Sequence, residues 1–217
     1  PLVNVLMDME KEGVYVEQKL LNEMSIKIGE RLDILVDNIY KISGKEFNVN
    51  STQQLALILF DELKLNQIKK RSTAENVLKE LVKEHQLPEL ILEYRKLNKL
   101  KNTYIDALPV AINSKTNRIH STFNQTIAST GRLSSTSPNF QNIPIRTEEG
   151  REIRKSFMPQ QTGWKIFSAD YSQIELRIMA HLSEDEELCD AFNKNIDIHS
   201  RTASLILSLI HISEPTR

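Results

Sequence analysis

The chain has 217 residues, 40% of them hydrophobic and 26% charged. That is the composition of an ordinary globular protein, long enough to bury a sizeable core in one domain or two lobes. A formal net charge of -1 excludes a globally basic protein and leaves any polyanion contact to local patches. Cys189 is the only cysteine, so an internal disulfide and a cysteine zinc site are excluded and a reducing compartment is expected; no run approaches the roughly 18 apolar residues of a membrane span.

No signal peptide is visible, and a chain opening at Pro1 is expected to begin inside a longer reading frame. Residues 2–11 predict a short helix closed by Gly13, and Val14-Tyr15-Val16 a brief extended piece. From 17 to 42 the stripe Leu20, Leu21, Met24, Ile28, Leu32, Leu35, Ile39 and Ile42 predicts a long amphipathic helix ending at Ser43-Gly44. Ser51 and Thr52 cap a helix through 55–60, a polar and basic connector follows over 61–71, and Ser72-Thr73-Ala74-Glu75 starts a helix to about His85. Pro88 opens another, with Leu90, Ile91, Tyr94, Leu97, Leu100 and Tyr104 on its buried face, running to about Asn113. The first half is thus nearly all helix.

Near Ser114 the composition shifts to Gly, Pro, Ser, Thr and Asn. Alternation over 118–128 predicts a strand or hairpin arm, and 129–159 a long connection of the kind that is usually functional. Residues 164–169 read as a buried strand ending at Asp170, and Ile174, Ile178, Met179 and Leu182 as the apolar face of a helix that starts near Ser172 and packs back onto the sheet. Two basic patches stand out: Arg95, Lys96, Lys99, Lys101, Lys115 and Arg118, opposed only by Asp106, then Arg146, Arg151, Arg154 and Lys155 among Glu148, Glu149 and Glu152. Solvated helix faces would look the same.

Asp170 has two readings, a polar residue closing a strand or a carboxylate beside free helix N–H groups, where a divalent metal and phosphate oxygens could be held together. Glu175 completes a Ser172-x-x-Glu175 capping box. Segments 129–135 and 139–146 offer amides, hydroxyls and arginines suited to phosphate, sugar and minor-groove acceptors. The acidic run Glu184-Asp185-Glu186-Glu187 reads as a solvated first helical turn.

These segments follow one another in a known order. Thr130-Gly131-Arg132-Leu133-Ser134-Ser135-Thr136, Pro138-Asn139-Phe140-Gln141-Asn142-Ile143-Pro144, Arg151 to Phe157, Asp170-Tyr171-Ser172-Gln173-Ile174-Glu175-Leu176-Arg177 with Ala180-His181-Leu182, and Asp197-Ile198-His199 resemble the hallmark segments of the A family of DNA polymerases. Upstream, Phe47-Asn48-Val49-Asn50-Ser51 and the pair Ile91 to Arg95 and Leu100 to Tyr104 look like that family's thumb. The resemblance covers about residues 1–204.

It implies an α+β fold: a palm edge over 1–15, a helical thumb over 16–105 and a partial palm with antiparallel sheet over 106–204. It also implies templated nucleotidyl transfer from a dNTP to a primer 3′-hydroxyl through two Mg2+ ions. Asp170 would bind both metals and the Tyr171 carbonyl one of them. Ser172, Gln173, Ile174 and His199 would lie beside the incoming dNTP, with Glu175 as the gate against a ribose 2′-hydroxyl. Arg132 would probe the minor groove at the primer end, Gln141, Asn142 and Arg146 would meet template or primer, and Lys101, Asn102 and Thr103 the duplex backbone. Partners would be primer–template DNA and dNTPs, without a membrane, in a cytoplasmic, nucleoid-associated enzyme that is monomeric when complete.

Residues 205–217 depart from the family pattern and read as a divergent, non-native tail, and the second metal-binding aspartate and the triphosphate-binding fingers helix are not found. Alone, the chain is therefore expected to be inactive and to expose apolar palm surface. A noncatalytic module contacting duplex backbone is the alternative reading, and a metal-dependent phosphohydrolase or nuclease ranks below it. Within the family the segments resemble those of the bacterial members, with a phage-type member as the nearest alternative.

Overall fold

Helix α1 (Leu2–Glu12) ends where Gly13 takes a left-handed φ of 64° and returns its N–H to the Met9 carbonyl at 3.0 Å. A side chain at Gly13 would not fit, because a Cβ there would lie 2.8 Å from both the His120 ring and the Ile119 carbonyl. The computed structural model describes residues 2–206, so the expected tail falls outside the described residues from 207 onward. The architecture is α+β, and residues up to Ile166 form one compact unit and those from Phe167 a second.

After β1 (Val14–Tyr15), the first unit is dominated by α2 (Gln18–Ser43), which starts with the Glu17 carboxylate accepting from Lys19 N and stops at Gly44, φ 75°. Its stripe Leu21, Ile28, Leu32, Leu35 and Ile39 is buried as the 3.6 period requires. It packs on α5 (Leu87–Leu100), whose Leu87, Ile91, Tyr94, Leu97 and Leu100 face it. Between them in sequence lie α3 (Thr52–Ala56), capped by Ser51 and continued as a π-helical stretch over Leu57–Glu62, the exposed extended segment β2 (Ile68–Arg71), and α4 (Glu75–Leu81). Each fully buried leucine here contributes on the order of 1.5–3 kcal/mol, and truncating Ile91 to alanine would cost about 2–5 kcal/mol.

The run opened by Pro88 does not remain α-helical to Asn113. It passes into a π-helical stretch over Lys101–Ile105 and then α6 (Ala107–Val110), ended by β3 (Ile112–Asn113). β4 (Arg118–Ile119) lies between β1 and β3, antiparallel to both, with Ile119 opposite Val14 and Ile112. The predicted arm over 118–128 is broken after Ile119. Glu10 on α1 engages the His120 ring through its carbonyl at 2.7 Å and the Phe123 N–H through its carboxylate at 2.6 Å, which turns the chain into a second ladder. There β5 (Thr122–Asn124) pairs antiparallel with β6 (Ser134–Thr136), Phe123 opposite Ser135.

Periodicity also missed α7 (Glu148–Lys155), inside the predicted long connection. Thr147 caps it by accepting from Gly150 N at 3.1 Å, Glu148 and Glu149 fill the first turn, and Arg154 and Lys155 the last. A bridge between Val16 and Phe157, with Glu17 N donating to the Ser156 carbonyl at 2.8 Å, ties the end of α7 to the start of α2.

In the second unit, α8 (Ile174–Ser183), α9 (Glu186–Asn193) and α10 (Ile198–Ile206) follow in turn. Asp185 caps α9, placing the acidic run at a solvated first turn as expected. Ala180, Ala191 and Ile198 are buried, and the Arg177 guanidinium lies 4.5 Å above the Phe192 ring.

Two expectations are corrected. Residues 164–170 form no strand among the described residues, and residues 161–170 are all exposed: a strand without a neighbour has no ladder to close. The α8 face meant for the sheet, Ile174, Ile178, Met179 and Leu182, is 41–77% exposed instead. That is the uncovered apolar surface the resemblance implied.

Candidate functional site

Little regular structure holds the loop from 129 to 146; side chains hold it through its backbone. Ser121 and Ser135 are buried, 2.7 Å apart through their hydroxyls. The pair reaches the carbonyls of Thr136 and Pro138, and Ser135 Oγ accepts from Phe140 N at 3.2 Å. Each hydroxyl has one proton, so these contacts share donors rather than add. Arg154 donates to the Ile143 carbonyl at 2.9 Å and to that of Pro144 at 3.1 Å. Gly150 permits this closeness, since a Cβ there would meet Pro144 at 2.7 Å. The expected nucleic-acid contacts Arg132, Asn142 and Arg146 are exposed on this braced loop. The Gln141 side chain is bonded back to the loop, its Oε1 to Ser135 N and its Nε2 to the Leu133 carbonyl.

Of the three helical residues expected to meet duplex, Lys101 is turned inward. Its Nζ donates to Ser25 at 2.6 Å and to both Asp106 oxygens at 2.9 and 3.0 Å. Burial pushes the Asp106 carboxyl up, but Lys101 and the Ser25 hydroxyl outweigh it and hold the group below the usual range. Asn102 and Thr103 are exposed, and Asn102 belongs to an amide row in which it donates to Asn98, Asn98 to Asn50, and Asn50 to the Tyr94 hydroxyl.

Most of the first basic patch is likewise engaged inside the unit. Arg95 donates to Thr73, Lys96 lies 3.1 Å from Glu149, and Arg118 meets Glu12 and Gln160. Glu149, 16% exposed, also sits 3.5 Å from Arg31, so one carboxylate of α7 joins α2 and α5. Burial opposes its charge, and its own backbone N–H, Lys96 and Arg31 more than compensate, so its carboxyl is lowered.

In the second unit, Asp170 and Tyr171 lie in exposed, non-helical backbone, and the Asp170 carboxylate makes no hydrogen bond among the described residues. Ser172 and Glu175 do not form the expected capping box. Gln173, in the left-handed conformation with φ 53°, takes the cap position without a side-chain cap bond, and Ser172 instead offers its carbonyl to Arg177 at 3.0 Å. Ile174 and Glu175 open α8 on its exposed side.

The unit brings Gln173 to the His199 segment. Gln173 Nε2 lies 3.5 Å from Asp197, whose carboxylate accepts from His199 N, Ser200 N and, at 2.6 Å, the Ser200 hydroxyl. The Ser200 hydroxyl, and after it the Ser200 N–H, hold the Asp197 carboxyl below its ordinary value. Asp170 and the Tyr171 carbonyl are hard oxygen donors suited to a divalent cation. Among the described residues no group of three or more His, Cys, Asp or Glu could hold a metal.

Spacing alone did not reveal Tyr104, Ser121, Ser135 or Arg154 as the loop's supports. Their partners are backbone carbonyls and amides, which carry no sequence signature.

A polar loop presenting Arg and Asn, and a carboxylate ahead of a helix that makes no hydrogen bond among the described residues, offer groups suited to phosphate, sugar and a divalent cation. The sequence matches DNA polymerase family A over residues 18–217, and the chain belongs to that family. It is similar to DNA polymerase I of Geobacillus stearothermophilus, 47% identical over 218 residues, which are 99% of this chain and 24% of that protein. It is similar also to DNA polymerase I of Pseudomonas aeruginosa, 48% identical over 215 residues, 96% of this chain and 23% of that protein. Among solved structures it resembles the POL domain of Pol1 from M. smegmatis in complex with DNA primer-template and dNTP, with a TM-score of 0.85 and 42% identity over 97% of this chain and 38% of that one. The chain thus spans about a quarter of the length of these curated relatives.

Proposed function

We propose that the chain is the part of a DNA-templated DNA polymerase that carries the duplex-facing helices, the primer-end loop and one metal-binding carboxylate, and that it serves DNA replication or repair. The observation that carries this reading is Asp170: an exposed carboxylate with no protein partner among the described residues, at the turn into α8, inside a family match covering residues 18–217. Asp170 and the Tyr171 carbonyl would hold Mg2+, which supplies charge stabilisation for the attacking and leaving oxygens of an in-line displacement.

The chain's own residues do the rest. Backbone at Ser172, Gln173 and Ile174, with His199, would receive the dNTP phosphates at the start of α8, where unpaired N–H groups favour anions. Glu175 would stand against a 2′-hydroxyl. Arg132, Asn142 and Arg146 would contact primer and template from the braced loop, and Asn102 and Thr103 the duplex backbone. The working enzyme is proposed to be a cytoplasmic, nucleoid-associated monomer; no helix among the described residues is long and apolar enough to cross a membrane.

Fluorescence anisotropy with a primer–template hairpin, with and without Mg2+ and dNTP, tests the proposal. Salt-dependent duplex binding together with metal-dependent dNTP binding supports it. Duplex binding alone favours the noncatalytic DNA-binding module. Primer extension by the 217-residue chain is expected to be absent, and templated synthesis would overturn the view that its residues supply only part of the metal site.

A further inference from the structure

We propose that Gln141 is a positioning residue that clamps the Arg132 turn, and is not itself a DNA contact; this rests on the polymerase reading above. Gln141 Oε1 accepts from Ser135 N at 3.0 Å, and its Nε2 donates to the Leu133 carbonyl at 2.9 Å. Those two groups flank Ser134 on one side of β6, the edge facing away from β5. A primary amide carries its acceptor and donor side by side, as a neighbouring strand's peptide would. Gln141 therefore closes the open edge of β6 in place of a strand.

The clamp is held from behind. Gln141 N donates to the Asn139 side chain at 2.9 Å, Phe140 N to Ser135 Oγ at 3.2 Å, and the carbonyl of Asn142 accepts from Tyr104 at 2.5 Å. Residues 139–142 are so folded back onto β6 that Arg132 adjoins one clamped group and Asn142 adjoins the clamping residue. The amide keeps one N–H and one lone pair beyond these two bonds, but any contact with a base or phosphate that turned the amide over would release the Ser135 N–H and the carbonyl next to Arg132.

The side chain is also specific in length and polarity. Asn would fall one methylene short. Glu would keep the acceptor for Ser135 N but set a second oxygen against the Leu133 carbonyl. Met fills the volume and makes neither bond.

Two readouts on the 217-residue chain test this: hydrogen exchange of the Ser135 amide, and anisotropy of a primer–template hairpin with Gln141→Ala, Arg132→Ala and the double variant. A clamp predicts faster Ser135 exchange in Gln141→Ala and Gln141→Met and weaker hairpin binding by about five- to tenfold, as expected for losing one or two ordinary hydrogen bonds. It also predicts no further weakening when Gln141→Ala is added to Arg132→Ala. Gln141→Glu should keep Ser135 protected, and it decides the matter if the other variants fail to fold. Unchanged Ser135 exchange, or a Gln141→Ala effect that persists in full beside Arg132→Ala, would overturn the clamp. Failure of the unmodified chain to bind any hairpin would instead sink the polymerase reading, and Ser135 exchange alone then decides whether the clamp exists.

Discussion

The Tyr104 hydroxyl donates a hydrogen bond of 2.5 Å to the backbone carbonyl of Asn142, 38 residues further along the chain. It fixes the end of the long helical run to the loop that carries Arg132 and Asn142. Tyr104→Phe keeps the ring, which is 8% exposed, and removes only the donor. The expected loss is about 0.5–1.5 kcal/mol in urea unfolding, the range for one hydrogen bond. Unchanged stability would mean that the loop is held by its other contacts alone.

Glu149 gives a pH-dependent case. Its carboxyl titrates lower in the folded chain than in the unfolded one, because Lys96, Arg31 and its own N–H outweigh burial. Its contribution is therefore complete above the unfolded value and disappears as pH falls through the folded one. Glu149→Gln should cost about 1–2 kcal/mol near neutrality, between the values for exposed and buried pairs. The difference from the unmodified chain should close below about pH 4, where the unfolded carboxyl is itself protonated. A gap that widens in acid would refute the assignment.

Lys101 and Asp106 make the same test of a different contact. With its three acceptors in Ser25 and Asp106, Lys101 acts in the packing of α2 against the helical run before it acts on any duplex. Lys101→Met should destabilise the chain by about 0.5–1.5 kcal/mol, since it leaves the Asp106 carboxylate, 41% exposed and so screened by solvent, with the Ser25 hydroxyl but without its cation. A lysine that met only phosphate would leave stability unchanged and lower the salt slope of duplex binding by about one. Urea unfolding and a salt titration of hairpin binding separate the two.

The helices with one-sided apolar spacing were legible: α2 ends at Gly44 and α5 opens at Pro88 because stripe, cap and breaker agree there. The loop was legible only as composition. Its shape depends on Ser121, Ser135, Gln141 and Arg154 bonding to backbone groups, and no residue pattern encodes a carbonyl partner. α7 was missed because its buried side is little more than Gly150 and Ile153, too few positions for a period to show. The 164–170 strand failed for the opposite reason: β-prone residues are present, but a strand exists only with a neighbour, and none pairs with it among the described residues. Of the second site, the order of segments was readable, whereas the left-handed turn at Gln173 that displaces the capping box was not.

Asp170 tests whether function and stability separate in this chain. Its carboxylate is exposed and makes no hydrogen bond among the described residues, so Asp170→Asn removes charge without removing a structural contact. Unfolding in urea should shift by no more than about 0.5 kcal/mol, as for surface substitutions. Metal-dependent dNTP binding should fall at least about tenfold, because an amide cannot replace a carboxylate that neutralises a dication. Salt-dependent hairpin binding should be retained, since the duplex-facing groups lie on the braced loop and helical run. A large loss of stability would show that Asp170 has a structural partner, and intact metal-dependent nucleotide binding would remove it from the site.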